Sequence, residues 1–411
     1  MKTNRRIFIF SELYFPEQTS TGYLLTKISE CLANEYKVNV ITGPATNFFH
    51  KANYPPYEIR HQVEIFRCNG TSFKQYSILG RFVNLITRSA AILWKGLFIC
   101  QPKDIILVVT NPPLLPFIAL FIKWLKECQF VLLIHDVYPE VLVASGLCKD
   151  SSFIVKIGQA MNKILYAHAS KIITLGRDMT ALAEAKLSQD IDKIICIPNW
   201  ADNEIVKPIS KANNPLLEEL RLSGKFVVLC AGNMGKTHGI EYLAQTAKNA
   251  HLKKLEIHFL VIGSGSKKKW LEDYISTENI SNITIIPISV RPRSEQIVSL
   301  TACDVAIILF VPGMAGVSVP SRMYNHMAAG KPIIAMADDC SELAQVIKEE
   351  NIGWIVSPGD IEGLIRSIEL ASTHPDLCVQ MGSRAAVVAQ TKYTFDRSGE
   401  AYKQLFRELS D

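Results

Sequence analysis

The sequence lacks long apolar runs. Nowhere do about eighteen uninterrupted apolar residues occur, which is the length that a membrane-spanning helix requires. The nearest candidate, residues 113–122, is short and is broken by Pro116. The apolar run at residues 7–10 is too short for a signal peptide. We therefore expect neither a membrane span nor secretion, and we predict a cytoplasmic protein.

Paired cysteines are also missing. The ten cysteines are scattered singly, without C-x-x-C spacing and without a neighbouring His in a zinc-like pattern. Most of them fall in apolar stretches, which favours buried thiols in a reducing compartment over a catalytic cysteine.

The sequence has no excess of acidic residues, and its excess of basic residues is confined to the first 100 residues. Residues 1–100 contain 12 Lys and Arg against 6 Asp and Glu, whereas the other 311 residues carry a net charge of −1. A basic face suits an anionic membrane surface, a phosphorylated acceptor or nucleic acid, although ordinary solvated surface has the same composition. Because no nucleic-acid-binding module is recognisable, we expect no nucleic-acid partner.

Short apolar segments rich in Val and Ile alternate with helix-length amphipathic segments along all 411 residues. Continuous apolar runs are typical of strands buried on both faces of a parallel sheet. The expected strands are 6–10, 37–42, 104–109, 130–134, 171–175, 193–197, 226–231, 257–262, 283–286, 304–309, 332–335 and 353–356. The pattern predicts an α/β protein with two Rossmann-like, doubly wound domains facing across a cleft.

One segment interrupts this alternation. Residues 199–225 are rich in Asn and contain Pro208 and Pro215, which is typical of turns and linkers. We therefore divide the chain into an N-terminal domain, residues 1–200, and a C-terminal domain, residues 201–393.

The strongest local motif is SVPSRMYNHMAAGKPIIA at residues 318–335. Ser318 or Ser321 is expected to cap a helix that Gly330 ends. Arg322 lies in the first helical turn, where the helix dipole disfavours a cation unless an anion sits opposite. The residues are equally compatible with a phosphate site and with a plain surface arginine.

Two further loops follow strands of the C-terminal half. The loop AGNMGKTHG places Gly232, Asn233 and Gly235 beside Lys236, which has the reach to contact a phosphate. The loop VIGSGS places Gly263 and Gly265 after the next strand, which is a weak glycine signature by itself. Three such loops at one rim favour a pyrophosphate or nucleotide site.

The N-terminal half offers polar groups at two strand ends. Thr21 and Gly22 lie in the loop SELYFPEQTSTG, and His135 with Asp136 opens the loop HDVYPE. A His beside a carboxylate is suited to orient a substrate hydroxyl, whereas the simpler alternative is a His that satisfies backbone at a turn.

Residues 74–100 combine basic and aromatic side chains. Lys74, Arg81, Arg88 and Lys95 are spaced by seven, so they share one helix face. The pattern fits an interfacial membrane contact, and it fits equally a core helix with one solvated basic side.

In their order and spacing, these motifs resemble the family 4 glycosyltransferases of the GT-B fold, in the branch that builds bacterial surface polysaccharides. The matching segments are YFPEQTSTG, IHDVYPE, IPNWAD, CAGNMGKTHGIE, VIGSGS, ACDVAII and VPSRMYNHMAAGKPIIA, and they span both domains.

The resemblance implies a retaining transfer from a nucleotide-diphosphate sugar, with a UDP-sugar favoured over a GDP-sugar. It implies no metal and no other cofactor, and an acceptor that is a saccharide or a lipid-linked saccharide bound to the N-terminal domain. It assigns catalytic roles to His135, Asp136, Lys236 and Arg322. The substrate-binding residues that it implies are Thr21, Gly22, Gly232, Asn233, Gly235, Gly263, Gly265, Val317, Ser318, Ser321 and Asn325. The last helix, residues 394–411, is expected to return to the N-terminal domain.

Three positions depart from the family pattern. Val317 and Asn325 stand where the family has two glutamates eight residues apart, and His238 replaces a second basic residue of the phosphate loop. These departures leave two alternatives open: a nucleotide-sugar epimerase of the same fold, and a non-catalytic subunit that binds sugar nucleotides.

Overall fold

The computed structural model describes residues 5–45, 54–71, 73, 78–187, 189–287 and 293–410. Lys74 of the basic helix pattern lies outside the described residues. The chain forms two compact units. Unit 1 comprises residues 1–140, 150–198 and 398–411, and unit 2 comprises residues 141–149 and 199–397.

Unit 1 is built around an eight-stranded sheet. Its strands are β1 (Arg6–Ser11), β2 (Lys37–Thr42), β3 (Tyr57–Arg60), β4 (Val63–Arg67), β5 (Ile105–Val109), β6 (Gln129–Leu133), β7 (Lys171–Thr174) and β8 (Ile194–Cys196). They lie in the order β3-β4-β2-β1-β5-β6-β7-β8, and each neighbouring pair is parallel except β3 with β4. The central strands are buried along nearly their whole length, as their continuous apolar sequences predict.

The helices of this part of the chain connect the parallel strands. They are α1 (Ser20–Leu32), α2 (Ile78–Ile99), α3 (Leu115–Lys126), α4 (Glu140–Ala144), α5 (Phe153–His168) and α6 (Arg177–Lys186). By length and composition α2 contains a stretch, Phe82–Ile99, that is able to cross a membrane, which the sequence analysis did not expect.

Unit 2 contains a six-stranded, fully parallel sheet. Its strands are β9 (Phe226–Asn233), β10 (Ile257–Ser264), β11 (Ile283–Ile286), β12 (Val305–Leu309), β13 (Ile333–Met336) and β14 (Gly353–Val356), in the order β11-β10-β9-β12-β13-β14. The remaining helices are α7 (Pro215–Glu219), α8 (Ile240–Leu252), α9 (Lys268–Thr277), α10 (Gln296–Leu300), α11 (Arg322–Ala328), α12 (Glu342–Glu350), α13 (Ile361–Thr373), α14 (Pro375–Thr391) and α15 (Phe395–Ser410). Twelve of the fourteen strands lie where the apolar runs predict them, and two Rossmann-like units are confirmed.

The segment that was predicted to be a linker is part of unit 2. Trp200, Leu216 and Leu217 are buried, and the Asn214 side chain caps α7 by accepting hydrogen bonds from the amides of Leu216 and Leu217. Asn199 and Asn214 are also buried, whereas Pro208 and Pro215 are exposed. Residues 199–225 are therefore a packed part of unit 2, and the linker interpretation is wrong. The observed units divide after Pro198.

The ten cysteines are all free thiols, and six of them are buried. Burial raises the pKa of Cys68 to about 11 and that of Cys303 to about 12, so these thiols stay protonated near neutral pH. Cys196 and Cys340 are exposed, contrary to a uniform assignment to the interior.

Candidate active site

In each sheet the strand order reverses between two neighbouring strands. These are β9 and β12 in unit 2, and β1 and β5 in unit 1. Ligands of open α/β sheets bind beyond the carboxyl ends of the strands at such a reversal. The predicted site residues of unit 2 lie at the carboxyl ends of β9 and β10 or in the segments that follow β9, β10 and β12, and those of unit 1 follow β1 and β6.

Arg322 is the first residue of α11, and its side chain lies against the end of β9. Its Nη1 donates a hydrogen bond to the carbonyl oxygen of Ala231 at 3.3 Å. Among the described residues it has no carboxylate partner, and burial lowers its pKa. A desolvated guanidinium without a counter-charge is suited to hold an anionic ligand.

Gly232 makes this approach possible. A Cβ atom at this position would lie 3.0 Å from Nη1 of Arg322, and the φ of +130° is one that side-chain-bearing residues rarely adopt. The predicted glycine loop and the predicted arginine are therefore neighbours.

The loops after β9 and β10 are also in direct contact. A Cβ on Gly263 would overlap the carbonyl oxygen of Gly232, and one on Gly265 would lie 2.5 Å from the carbonyl oxygen of Met234. The Met234 amide donates to Ser264 O at 2.8 Å. The glycines of the weak G-x-G signal thus have a packing role that brings the two loops together.

Three polar residues complete this rim. Asn233 and Lys236 are exposed, and Lys236 has no ion-pair partner among the described residues. His238 is half-buried, and burial, followed by the charge of Arg322, lowers its pKa to about 3. His238 is therefore neutral near pH 7, so Arg322 and Lys236 supply the positive charge here.

The start of α11 differs from the sequence prediction. Ser321 occupies the N-cap position, but with φ −58° and ψ −24° its backbone is helical and its side chain accepts no capping hydrogen bond. Ser318 lies three residues before this position and is half-buried. The predicted serine cap is wrong, whereas the end of the helix near Gly330, which has φ +66°, is confirmed.

The loop before α11 is held by a residue that the sequence analysis missed. Oδ2 of Asp338 accepts hydrogen bonds from the amides of Gly313, Met314 and Ala315 at 3.0, 2.9 and 3.1 Å. Asp338 follows β13, so one carboxylate ties the loop after β12 to the neighbouring strand end.

Val317 and Asn325, which stand at the two glutamate positions of the family pattern, both have structural roles in unit 2. Val317 is 3% exposed, within the apolar interior. Oδ1 of Asn325 accepts a hydrogen bond from the amide of Asp202 at 2.9 Å. The side-chain oxygen of Asn325 therefore already bonds to the backbone of unit 2. A ribose hydroxyl that donated to Asn325 would use this same oxygen.

In unit 1 the two predicted polar loops meet. Thr21 Oγ1 and His135 Nδ1 are 3.3 Å apart, which joins the start of α1 to the end of β6. Burial lowers the pKa of His135 to about 4, so the ring is neutral near pH 7. It is suited to hydrogen bonding rather than to charge stabilisation.

Thr110 positions the loop that carries His135 and Asp136. Its hydroxyl accepts hydrogen bonds from both of their amides, at 3.1 and 3.2 Å. Thr110 was not predicted as a site residue, although a polar residue directly after the apolar run at 105–109 is a usable signal. Burial, and then the charge of Asp136, raises the pKa of Tyr138 to about 12.

Gly22 has a local packing role. A Cβ at this position would lie 2.8 Å from the Cβ of Glu17. Its amide donates to Oγ1 of Thr19, the N-cap of α1, at 3.4 Å. The glycine therefore lets the capping loop close over the first turn of α1. Within the described ranges, no cluster of three or more His, Cys, Asp or Glu is placed to hold a metal ion.

Two Rossmann-like units with candidate loop sites at their strand reversals have the architecture of the GT-B fold, and solved glycosyltransferase structures show the same fold. Sucrose-phosphate synthase from Thermosynechococcus elongatus matches 98% of this chain and 99% of its own, with a TM-score of 0.79 and 16% identity. Anabaena HepE in complex with UDP-glucose matches 98% of this chain and 99% of its own, with a TM-score of 0.72 and 13% identity.

Sequence comparison identifies the family. The family model "Glycosyl transferases group 1" matches residues 217–388. The probable glycosyltransferase WbjE of Pseudomonas aeruginosa is 30% identical over 369 residues, which are 89% of this chain and 88% of that protein. The putative colanic acid biosynthesis glycosyl transferase WcaI of Escherichia coli K12 is 24% identical over 389 residues, 90% of this chain and 93% of that protein. The chain belongs to the group 1 glycosyltransferases, and it is a transferase enzyme.

Proposed function

We propose that this glycosyltransferase moves a hexosyl or N-acetylhexosaminyl group from a UDP-sugar to a lipid-linked saccharide, with retention of anomeric configuration, in surface polysaccharide synthesis at an anionic membrane surface. The observation that carries the proposal is Arg322, a half-buried and desolvated guanidinium without a carboxylate partner in the part of the chain that the structure describes. The colanic acid relative supports the polysaccharide, and the HepE complex supports the uridine donor.

In this proposal the residues of unit 2 stabilise the leaving group. Negative charge develops on the departing nucleotide diphosphate, and Arg322 with Lys236 neutralises it. Stabilisation of such developing charge by fixed groups is usually the largest catalytic contribution. The neutral His135, held by Thr21, orients a sugar hydroxyl together with the adjacent carboxylate of Asp136.

Replacement of Arg322 tests the proposal. We expect Arg322→Ala to lower kcat roughly 10²–10³-fold at saturating donor, by analogy with the removal of one oxyanion-stabilising donor. Arg322→Lys should retain part of the activity because it keeps the charge. The control is Arg366→Ala, which removes a surface arginine of the same unit. Full turnover by Arg322→Ala would show that the guanidinium has no catalytic role.

A nucleotide screen by thermal shift identifies the donor. A ligand at 100 times its Kd stabilises the protein by about 2.7 kcal/mol, which such a screen resolves. We expect UDP and UDP-sugars to stabilise more than GDP, ADP or CMP. Stabilisation by GDP alone would replace the uridine donor with a guanosine donor.

The departures at Val317 and Asn325 favour a second candidate, a subunit that binds the donor without transferring it. Incubation with each UDP-sugar and an extracted lipid-linked saccharide separates the possibilities. Transfer supports the main proposal, and tight binding without turnover supports the second candidate. Interconversion of the donor without acceptor would identify an epimerase.

A further inference from the structure

Three helices of unit 1 expose large apolar side chains to solvent. Of the 24 large apolar side chains that are exposed among the described residues, 13 belong to α2, α3 and α5. They are Leu79, Phe82, Ile86, Trp94 and Phe98 of α2, Phe121, Trp124 and Leu125 of α3, and Phe153, Ile154, Ile157, Met161 and Ile164 of α5. We call these 13 side chains the docking face.

The docking face is one layer rather than three separate patches. α2 contacts α3, and α3 contacts α5. On each helix the exposed apolar residues recur mainly every three, four or eight positions, so they form a stripe directed away from the sheet. In unit 2 the exposed apolar side chains of the helices are scattered, as with Leu252 of α8, Trp270 of α9 and Leu370 of α13. Contiguous apolar surface of this kind marks an interaction site.

The charge of these helices selects an anionic partner. The three helices contain 50 residues with seven Lys and Arg and no Asp or Glu. At the carboxyl end of α5 a pocket of about 490 Å³ is lined by Lys123, Lys171 and Lys193, with Asp190 and Asp192 also on its wall. A second copy of this chain would bring two basic, acid-free faces together, whereas an anionic bilayer neutralises them.

α2 is held against unit 1 by its inner side. A Cβ on Gly96 would lie 2.6 Å from Ile122 Cδ1 and 3.1 Å from Phe10 Cζ, so the helix fits closely on α3 and β1. Oδ1 of Asn84 accepts hydrogen bonds from the hydroxyl of Thr71 and the amide of Phe73, both at 2.9 Å. A helix with these contacts is able to lie on a membrane but would have to leave the unit to cross one.

We propose that the docking face lies on the surface of an anionic lipid bilayer, with Trp94 and Trp124 in the interfacial region. Aromatic rings with an apolar body and a polar edge favour this depth, and the surrounding lysines contact lipid phosphates. The purpose of this docking rests on the proposed function, because docking would hold the enzyme at the membrane in which a lipid-linked acceptor resides. Vesicle binding is nevertheless measured without donor or acceptor.

The test is flotation of the full-length protein with vesicles of phosphatidylcholine alone or mixed with phosphatidylglycerol. The variant Trp94→Glu/Trp124→Glu places charge at side chains that are 66% and 54% exposed. The matched control is Val379→Glu/Val387→Glu on α14 of unit 2, where the side chains are 67% and 59% exposed. Thermal melts of both variants verify that they fold.

We expect the wild type and the control to float with anionic vesicles, and salt to weaken this binding. The Trp variant should bind at least about tenfold more weakly, because it loses two interfacial anchors and gains two repelled charges. Equal flotation of the Trp variant would overturn the proposal. A wild type that ignores vesicles but forms a dimer, with the Trp variant monomeric by sedimentation, would assign the face to a second copy instead.

Transfer to a water-soluble acceptor separates this inference from the proposed function. If the wild type floats but transfers no sugar, the docking face stands and the proposed function fails. If it transfers sugar but does not bind anionic vesicles, the transfer reaction of the proposed function stands, whereas its membrane location and the docking face both fail.

Discussion

At the scale of single residues, His326 is a buried group without a hydrogen-bond partner. Its side chain is 0% exposed, and neither ring nitrogen has a partner among the residues that the structure describes. Burial, and then the charge of Arg322 one turn away, lowers its pKa to about 3. A buried polar ring that forms no hydrogen bond costs stability.

The low pKa of His326 predicts how stability depends on pH. The unfolded chain binds this proton near pH 6.5 and the folded chain only near pH 3, so stability falls as the pH is lowered through this window. At pH 5 the loss amounts to about 2 kcal/mol for this one group. We expect His326→Leu to be more stable than wild type at pH 7 and to lose less of its Tm between pH 7 and pH 5.

The control for this prediction is His374→Leu, which replaces an exposed histidine of the same unit. His135 and His258, whose pKa values burial lowers to about 4, preserve part of the acid sensitivity in both variants. An unchanged pH dependence in His326→Leu would mean that the folded protein accommodates the protonated ring.

At the scale of secondary-structure elements, the sequence predicted the central strands but missed one hairpin. Buried parallel strands are continuous apolar runs, and their signal does not depend on distant parts of the chain. β3 and β4 alternate instead, and they are joined by His61 and Gln62, which have φ of +45° and +64°. Tight hairpins of this kind are usually marked by Asn-Gly or Asp-Gly, so the turn carried no recognisable signature.

The candidate site could be predicted only in part for a related reason. The glycines of unit 2 lie at or just beyond the ends of β9 and β10, and Arg322 begins α11 after the loop that follows β12. Strand ends and helix starts of this kind are readable from sequence. Thr110 and Asp338 act by accepting hydrogen bonds from amides as many as 26 residues away along the chain. Such contacts have no periodicity, and they become visible only when the strands lie side by side.

Asp338 leads to a prediction about the loop before α11. Asp338→Ala leaves the amides of Gly313, Met314 and Ala315 without their acceptor, at a cost of about 1–3 kcal/mol if water does not replace it. Because this loop leads to Arg322, we expect a lower Tm and weaker donor binding, both of which thermal shift measures.

The comparison variant is Asp338→Asn, whose side-chain oxygen still accepts hydrogen bonds. It should retain most of the Tm and most of the donor response. If alanine and asparagine behave alike, the loop keeps its conformation without this side chain.

At the scale of the whole molecule, the C-terminal helix explains why the division into units is not a simple cut of the chain. Residues 398–410 of α15 belong to unit 1, although residues 199–397 belong to unit 2. Tyr402, Leu405 and Phe406 are buried, and Arg407 donates from Nε to Oε2 of Glu35 at 2.9 Å. A 16-residue helix is marginal alone, so burial of this face stabilises it.

Phe406 is the residue through which this attachment is best tested. Its ring is 0% exposed and lies 6.3 Å from the ring centre of Tyr36. Phe406→Ala removes a fully buried aromatic side chain, and we expect it to lower the free energy of unfolding by about 3–5 kcal/mol. We expect hydrogen exchange to accelerate in α15 and in the neighbouring residues of unit 1, and to stay unchanged in β9 and β12. Gln404→Ala, at an exposed position of the same helix, should leave both units as they are. Equal acceleration in the two sheets would mean that the whole chain unfolds as one cooperative system, because destabilising one unit would then open both.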